Sequence, residues 1–340
     1  MKNAKFKAAA AAGLAASTIA VSLATAAPAM AATNITVGTV AINAMGVIPW
    51  AQSSGIFAKN GLNVTDIKIF PAPPPSLAAL AAGAVNFVYA PSIPILNAYA
   101  NGGMDLKVVA AADGYPATRL AAAKKNPALA AKLDDTGTCV QPNSGINSWK
   151  DLSGKTVSVP ARGAQGEVTI AQAVKNAGGN PASINWVTLP FGTALDALKS
   201  GKTQAAFTVE PFTSQCSADG LKNLGSPGIA FFDKEVAIGM WVTTGSYAAA
   251  NPGVVAAFQK SIAQVGAFGN TKAGWEKVLE SANPTYTQVD LATARQANPS
   301  YFPPTIVKQD LQLPANKMLA LGYLKSPLNV SGLLLKQYRK

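Results

Sequence analysis

Val64 to Phe70 alternates polar and apolar positions through Asp66, Ile67, Lys68 and Ile69, the period of a half-buried strand. Before it, Asn34 to Ile42 carries Ile35, Val37 and Val40 and reads as a strand, and Val47 to Asn60 reads as helical up to Gly61. After it, the proline-rich turn Pro71 to Pro75 leads into a short Ala/Leu helix with Ser76 as its N-cap and Gly83 as its stop. Strand Val85 to Tyr89, helix Ser92 to Asn101 and strand Leu106 to Ala112 follow. The rhythm breaks from Tyr115 to Ser148, around Asp134-Asp135-Thr136-Gly137, which marks a crossing into a second domain. Alternation then resumes with strand Lys155 to Pro160, helix Gln165 to Ala177, strand Ile184 to Leu189, helix Thr193 to Ser200 and strand Gln204 to Val209. Strands alternating with helices at this spacing predict α/β lobes with mostly parallel sheets.

The two halves echo each other. Leu77 to Asn86 aligns with Leu195 to Gln204, and in each a short helix stops at Gly and a strand begins within three residues. After Pro211 the pattern reads as loop, then strand Ile238 to Thr243. Asn251-Pro252 opens a helix whose apolar face is Val254, Val255, Phe258, Ile262 and Val265. A final helix near Ala315 to Tyr323 is expected to return to the first lobe.

The N-terminus changes the picture most. Lys2, Lys5 and Lys7 precede an uncharged, Ala-rich run from Ala8 to Ala27 that closes at Ala29-Met30-Ala31. Residues 1–31 therefore read as a signal peptide, against the alternative of a membrane anchor, and place the product in the periplasm or outside the cell. No Cys near the cleavage pattern offers a lipid anchor, and no membrane insertion is expected after its removal. The formal charge of +12 falls to +9 when these three Lys leave. Only 13% of residues are charged, and the basic ones are dispersed, which argues against a nucleic-acid partner. The absence of histidine excludes most zinc sites and every His-based triad, so neither a metal, a cofactor nor catalytic residues are expected. Cys139 and Cys216 are either one disulfide, as an oxidising compartment would allow, or two buried thiols.

Gly55-Ile56-Phe57-Ala58-Lys59-Asn60-Gly61-Leu62-Asn63-Val64 resembles a segment of the ABC-importer solute-binding proteins, in the branch that takes nitrate, sulfonates, taurine and thiamine pyrimidines. Ala79 to Phe87 is similar to a second element of that branch, with Asn86 where Asp is usual, and Asp151-Leu152-Ser153-Gly154-Lys155-Thr156-Val157 to a third. Glu210-Pro211-Phe212 and Asn251-Pro252 with Val255 and Phe258 complete the likeness. The resemblance implies a type II periplasmic binding fold with a two-segment hinge and a ligand cleft between the lobes. Residues 32–115 and 241–340 would form lobe I and 116–240 lobe II. It also implies a monomer working with a membrane permease and an ATPase.

In such a cleft the strand-to-helix turns face the ligand, where free backbone N–H groups point inward. The turns offer Asn43, Met45, Ser76, Tyr89, Ser92, Arg162, Gln165, Gly166, Phe191, Thr193 and Glu210. Ser76, Ser92 and Thr193 serve as helix caps, as anion ligands or as both. Arg162 reads either as a planar clamp for a carboxylate or sulfonate or as a solvated loop residue. Tyr89, Trp50 and Phe191 either stack on a ring or line an apolar wall, or else pack in the core as most aromatics do, and Glu210 can order the hinge. Pro73-Pro74-Pro75 removes N–H donors, which disfavours nitrate and favours a larger organic anion. The alternatives are a pyrimidine-type heterocycle, an exported enzyme on the same fold, and an exported sensor or adhesin.

Overall fold

In the computed structural model the chain divides into two units, Met1–Ala31 and Ala32–Lys340. The structure describes residues 32–126, 129–232 and 236–339, so the expected signal peptide lies outside the described residues. The strands are β1 (Thr33–Val40), β2 (Leu62–Phe70), β3 (Phe87–Pro91) and β4 (Leu106–Tyr115), then β5 (Thr136–Val140), β6 (Thr156–Val159), β7 (Asn185–Thr188), β8 (Ala205–Val209) and β9 (Lys222–Asn223), and finally β10 (Val236–Thr244). They build two five-stranded sheets, ordered β2-β1-β3-β10-β4 and β7-β6-β8-β5-β9.

Each sheet is parallel except at its fourth place. β1 runs parallel to β2 and β3, and β6 to β7 and β8, whereas β10 is antiparallel to β3 and β4, and β5 to β8 and β9. These two odd strands are those by which the chain enters a sheet from the other lobe. The chain thus crosses twice, after β4 and before β10. The boundary expected at residue 240 falls inside β10, so the return comes earlier, by Val236.

The internal echo extends to atoms. Asn86 Oδ1 accepts from the Thr36 N–H at 2.7 Å, and Gln204 Oε1 accepts from the Thr156 N–H at 3.0 Å. In both lobes the same residue's N–H returns a bond to the same threonine carbonyl. Gly83 and Gly201 sit at φ +73° and +75°, the left-handed turn that ends each preceding helix. An amide side chain at this place, rather than a carboxylate, ties the start of one central strand to its neighbour.

Three local expectations are corrected. The prolines do not form a separate turn but open the helix Pro73–Ala81, because a fixed φ suits a first turn whose N–H groups have no helical partner. Ser76 therefore lies inside that helix and donates to the Pro73 carbonyl at 2.7 Å instead of capping. Thr193 is likewise the third residue of the helix Phe191–Lys199, not its cap. The stretch after Pro211 is not loop: it forms the helices Phe212–Ala218 and Pro227–Phe231.

The long helix Pro252–Gly269 behaves as its pattern predicts. Val255, Phe258, Ile262 and Val265 are buried, and Phe258 stacks on Phe87 with centroids 4.0 Å apart. Burying such a ring contributes about 2–3 kcal/mol. The helix Gln309–Ala320 returns to the first lobe through Leu311, Ala315 and Met318. No helix among the described residues is long and apolar enough to cross a membrane.

Candidate functional site

The rule that ligands meet α/β sheets at the carboxyl ends of their strands is obeyed here by both lobes at once. Val40 ends β1, Tyr89 and Pro91 end β3, and Asp113 lies near the end of β4. Facing them are Thr136, Pro160, Gln165, Phe191 and Phe207 of the second lobe. Together with Asp135 they enclose a cavity of about 50 Å³ between the lobes. Asp135 and Thr136 reach it because β5 runs antiparallel, which puts its N-terminus level with the carboxyl ends of the other strands.

The polar part of this wall is acidic. Asp113 and Asp135 are both buried, and among the described residues no Lys or Arg lines the cavity. Burial raises the Asp113 carboxyl to about 6, opposed by a hydrogen bond from the Tyr89 hydroxyl. Asp135 is pushed well above the carboxylate range by burial and then by the charges of Asp134 and Asp113, while Arg119 works weakly in the other direction. Tyr89 is raised by burial and by the same two acids, Asp113 and Asp135. Asp113 Oδ1 and Gln165 Oε1 have no hydrogen-bond donor among the described residues. A buried acceptor left so costs about 1–3 kcal/mol, which a ligand N–H would recover. Gly239 is required at this point, because a Cβ there would lie 1.8 Å from Asp113 Oδ1.

Asp134, next in sequence to Asp135, does different work at the hinge. It accepts from the Tyr115 and Ser226 hydroxyls, from the Thr136 N–H at 3.0 Å and its hydroxyl at 2.9 Å, and from the Ile229 N–H at 3.1 Å. Both crossing segments are thereby tied to one carboxylate. Glu210 stands close by: its N–H donates to the Asp135 carbonyl at 2.8 Å and its carbonyl accepts from the Asn43 N–H at 2.9 Å. Its side chain accepts from the Ser214 N–H at 3.0 Å, and burial lifts its pKa to about 7.

Of the residues expected at the site, Tyr89, Gln165 and Phe191 line the cavity. Asn43 is one layer behind, bonded to Asn283 at 2.9 Å. Met45 belongs to the first-lobe core, and Ser76 and Ser92 are fully buried. Gly166 lets its helix approach Phe207, whose ring would sit 2.6 Å from a Cβ. Thr193 lies in an outer groove. Arg162 does not reach the cavity. It forms a two-pronged pair with Glu167, at 2.7 and 3.2 Å, and borders a separate depression with Asn97 and Met104. Glu167 also accepts from the Gly163 N–H at 2.8 Å and the Tyr323 hydroxyl at 3.2 Å, and Asn97 donates to the Gly163 carbonyl at 3.2 Å. This cluster joins the lobes at their rim. Because the Arg162 side chain is 58% exposed, its pair contributes at most about 1 kcal/mol. Replacing Arg162 with Ala is expected to change solute affinity by less than about fivefold in a titration.

Asp113 and Asp135 are the residues that sequence reasoning passed over. The acidic residues number only 16, and an adjacent pair at the lobe crossing was the available signal. Cys139 and Cys216 are joined as a disulfide, with Cα atoms 6.3 Å apart. Among the described residues no group of three or more His, Cys, Asp or Glu is placed to hold a metal ion.

A family model described as NMT1/THI5 like matches residues 42–268. No curated protein matches the sequence. Among solved structures, the alkanesulfonate-binding protein SsuA of Xanthomonas axonopodis pv. citri, bound to MOPS, superposes with a TM-score of 0.70 at 19% identity, covering 89% of this chain and 98% of that one. The periplasmic nitrate-binding protein NrtA of Synechocystis PCC 6803 gives 0.69 at 11% identity, over 87% and 83%. The desulfurization enzyme DSZB gives 0.61 at 12% identity, over 90% and 97%. The fold is thus that of the two-lobed periplasmic binding proteins, a fold that an enzyme also uses.

Proposed function

The chain belongs to the NMT1/THI5-like family, and we propose that it is the exported solute-binding component of an ABC importer, taking a small organic solute by a donor-rich, cation-forming head. An amino-heterocycle of the pyrimidine kind has that chemistry. The observation that carries this reading is the pair Asp113 and Asp135, both lining the cleft cavity, whose wall holds no Lys or Arg among the described residues. Two buried carboxyls and the orphaned Gln165 oxygen accept hydrogen bonds; an anionic head would meet repulsion there. Tyr89, Phe191 and the prolines around them supply flat apolar surfaces for the rest of the solute. The organic anion expected from Arg162 has less support, since that guanidinium is already paired with Glu167 away from the cavity.

Binding rather than turnover is favoured by the same wall, in which no serine, cysteine or histidine among the described residues accompanies the carboxyls. The strands that cross between lobes suit hinge closure over the solute, which would present both lobes to a permease. A thermal-shift screen at pH 8 tests the ligand class. Amidines and aminopyrimidines are expected to raise the melting temperature, and sulfonates, aromatic acids and nitrate to leave it unchanged. A larger rise with any of the anions overturns the reading.

A further inference from the structure

The cleft cavity is small for the solute it would hold. At about 50 Å³ it is a third of the roughly 150 Å³ that accommodates a benzene ring in a protein core. Beside it lies an open groove of about 690 Å³, formed by the end of β2, the first turns of the helix Phe191–Lys199, and residues 286–289. The two spaces share only Pro71 and Phe191 in their walls. Phe191 stands between Phe207, which lines the cavity at a centroid distance of 6.4 Å, and Phe212, which lines the groove at 5.2 Å. It is half-buried, with aromatic neighbours on both sides.

Resting on the function proposed above, we infer that the solute is bipartite: its cation-forming head enters the acidic cavity, and its apolar or aromatic body passes Phe191 into the groove. The groove has the chemistry for such a body. Its wall is mixed: Ile69, Phe70 and Tyr286 give it apolar surface, with Ile69 38% exposed, beside the polar side chains of Thr193, Gln215 and Gln288. Its basic side chain is neutralised locally, for Lys199 pairs with Asp196 at 3.1 Å and with Asp219 at 2.9 Å. A second charged group on the solute is therefore not demanded. Phe191 acts as the partition, and its face packs against whatever spans the two spaces.

Three probes of one head and growing body test this: acetamidinium, benzamidine and 4-(benzyloxy)benzamidine, titrated calorimetrically against the protein at pH 8. Affinity is expected to rise roughly 30-fold for each added ring, about what removing one ring from water is worth. Gly192 offers a way to fill the groove, since a Cβ there meets only Phe212, at 3.9 Å. In Gly192→Leu the ratio of affinities between the longest and shortest probes is expected to collapse at least tenfold. Tyr286→Ala, which removes a wall on the opposite side, should lower the same ratio, and the melting temperature of each variant reports its folding. Acetamidinium binding without any gain from the added rings overturns the groove and leaves the acidic head site standing. Failure of all three probes to bind overturns both.

Discussion

Replacing Asp113 with Asn is expected to make the unliganded protein more stable at pH 8, by about 2 kcal/mol, while weakening binding of a cationic solute at least 100-fold. The two effects have one origin. Burial holds the Asp113 carboxyl protonated up to about pH 6 in the folded chain, whereas the unfolded chain ionises it near 3.8. Folding stability therefore falls as pH rises across that window and stays low above it. A shift of this size corresponds to about 3 kcal/mol of unfavourable burial. Asparagine keeps the shape and removes the charge, so most of that penalty disappears. It also removes the partner for a cationic head, and the loss of one member of a buried charge pair costs about 2–5 kcal/mol in binding. Urea denaturation of both proteins at pH 5 and pH 8 reads the first effect: the stability difference should be larger at pH 8. A variant less stable than the parent at pH 8 would contradict the assignment. Such a trade, stability given up at a site for the sake of binding, is common among functional residues.

Removing the disulfide, by Cys139→Ser with Cys216→Ser, is expected to cost about 4 kcal/mol, the chain-entropy value for a loop of 77 residues. The bond joins β5, the strand by which the chain enters the second sheet, to the helix Phe212–Ala218. That helix holds Glu210 through Ser214, so its loosening reaches the hinge as well as the core. Both sulfurs are fully buried and pack with Leu195, Leu198 and Val289. The midpoint of denaturation should fall, and dithiothreitol should lower that of the parent protein to a similar value. An unchanged midpoint in the double variant would contradict the account.

Much of the fold was legible because the lobes obey periodic rules. The alternation around Ile67, the glycine stops at Gly83 and Gly201, and the apolar stripe Val255, Phe258, Ile262 and Val265 each express a local cause. The helix limits at Ser76 and Thr193 were misplaced for local reasons too: proline tolerates the first helical turn, so one helix starts at Pro73, and Pro190 takes the N-cap place of a helix that starts at Phe191. The site was less legible. The strand-end rule found Tyr89, Gln165 and Phe191, whose strands or following helices belong to the parallel part of a sheet. It missed Asp135 because β5 runs against its neighbours, and only topology shows that the beginning of such a strand faces the cleft. Asp113 was missed because it lies in an alanine-rich strand whose last residues extend beyond the expected end at Ala112. Arg162 looked suited to an anion because its own partner, Glu167, lies five residues along a helix whose direction the sequence does not display.

The central claim is that the cleft selects for positive charge, and benzamidine against benzoate tests it with two molecules of similar size and opposite charge. Calorimetric titration of the protein at pH 8 and pH 5 should show benzamidine binding, more tightly at pH 8 where Asp113 is ionised, and no binding of benzoate at either pH. Benzoate binding more tightly than benzamidine at pH 8 would contradict the account.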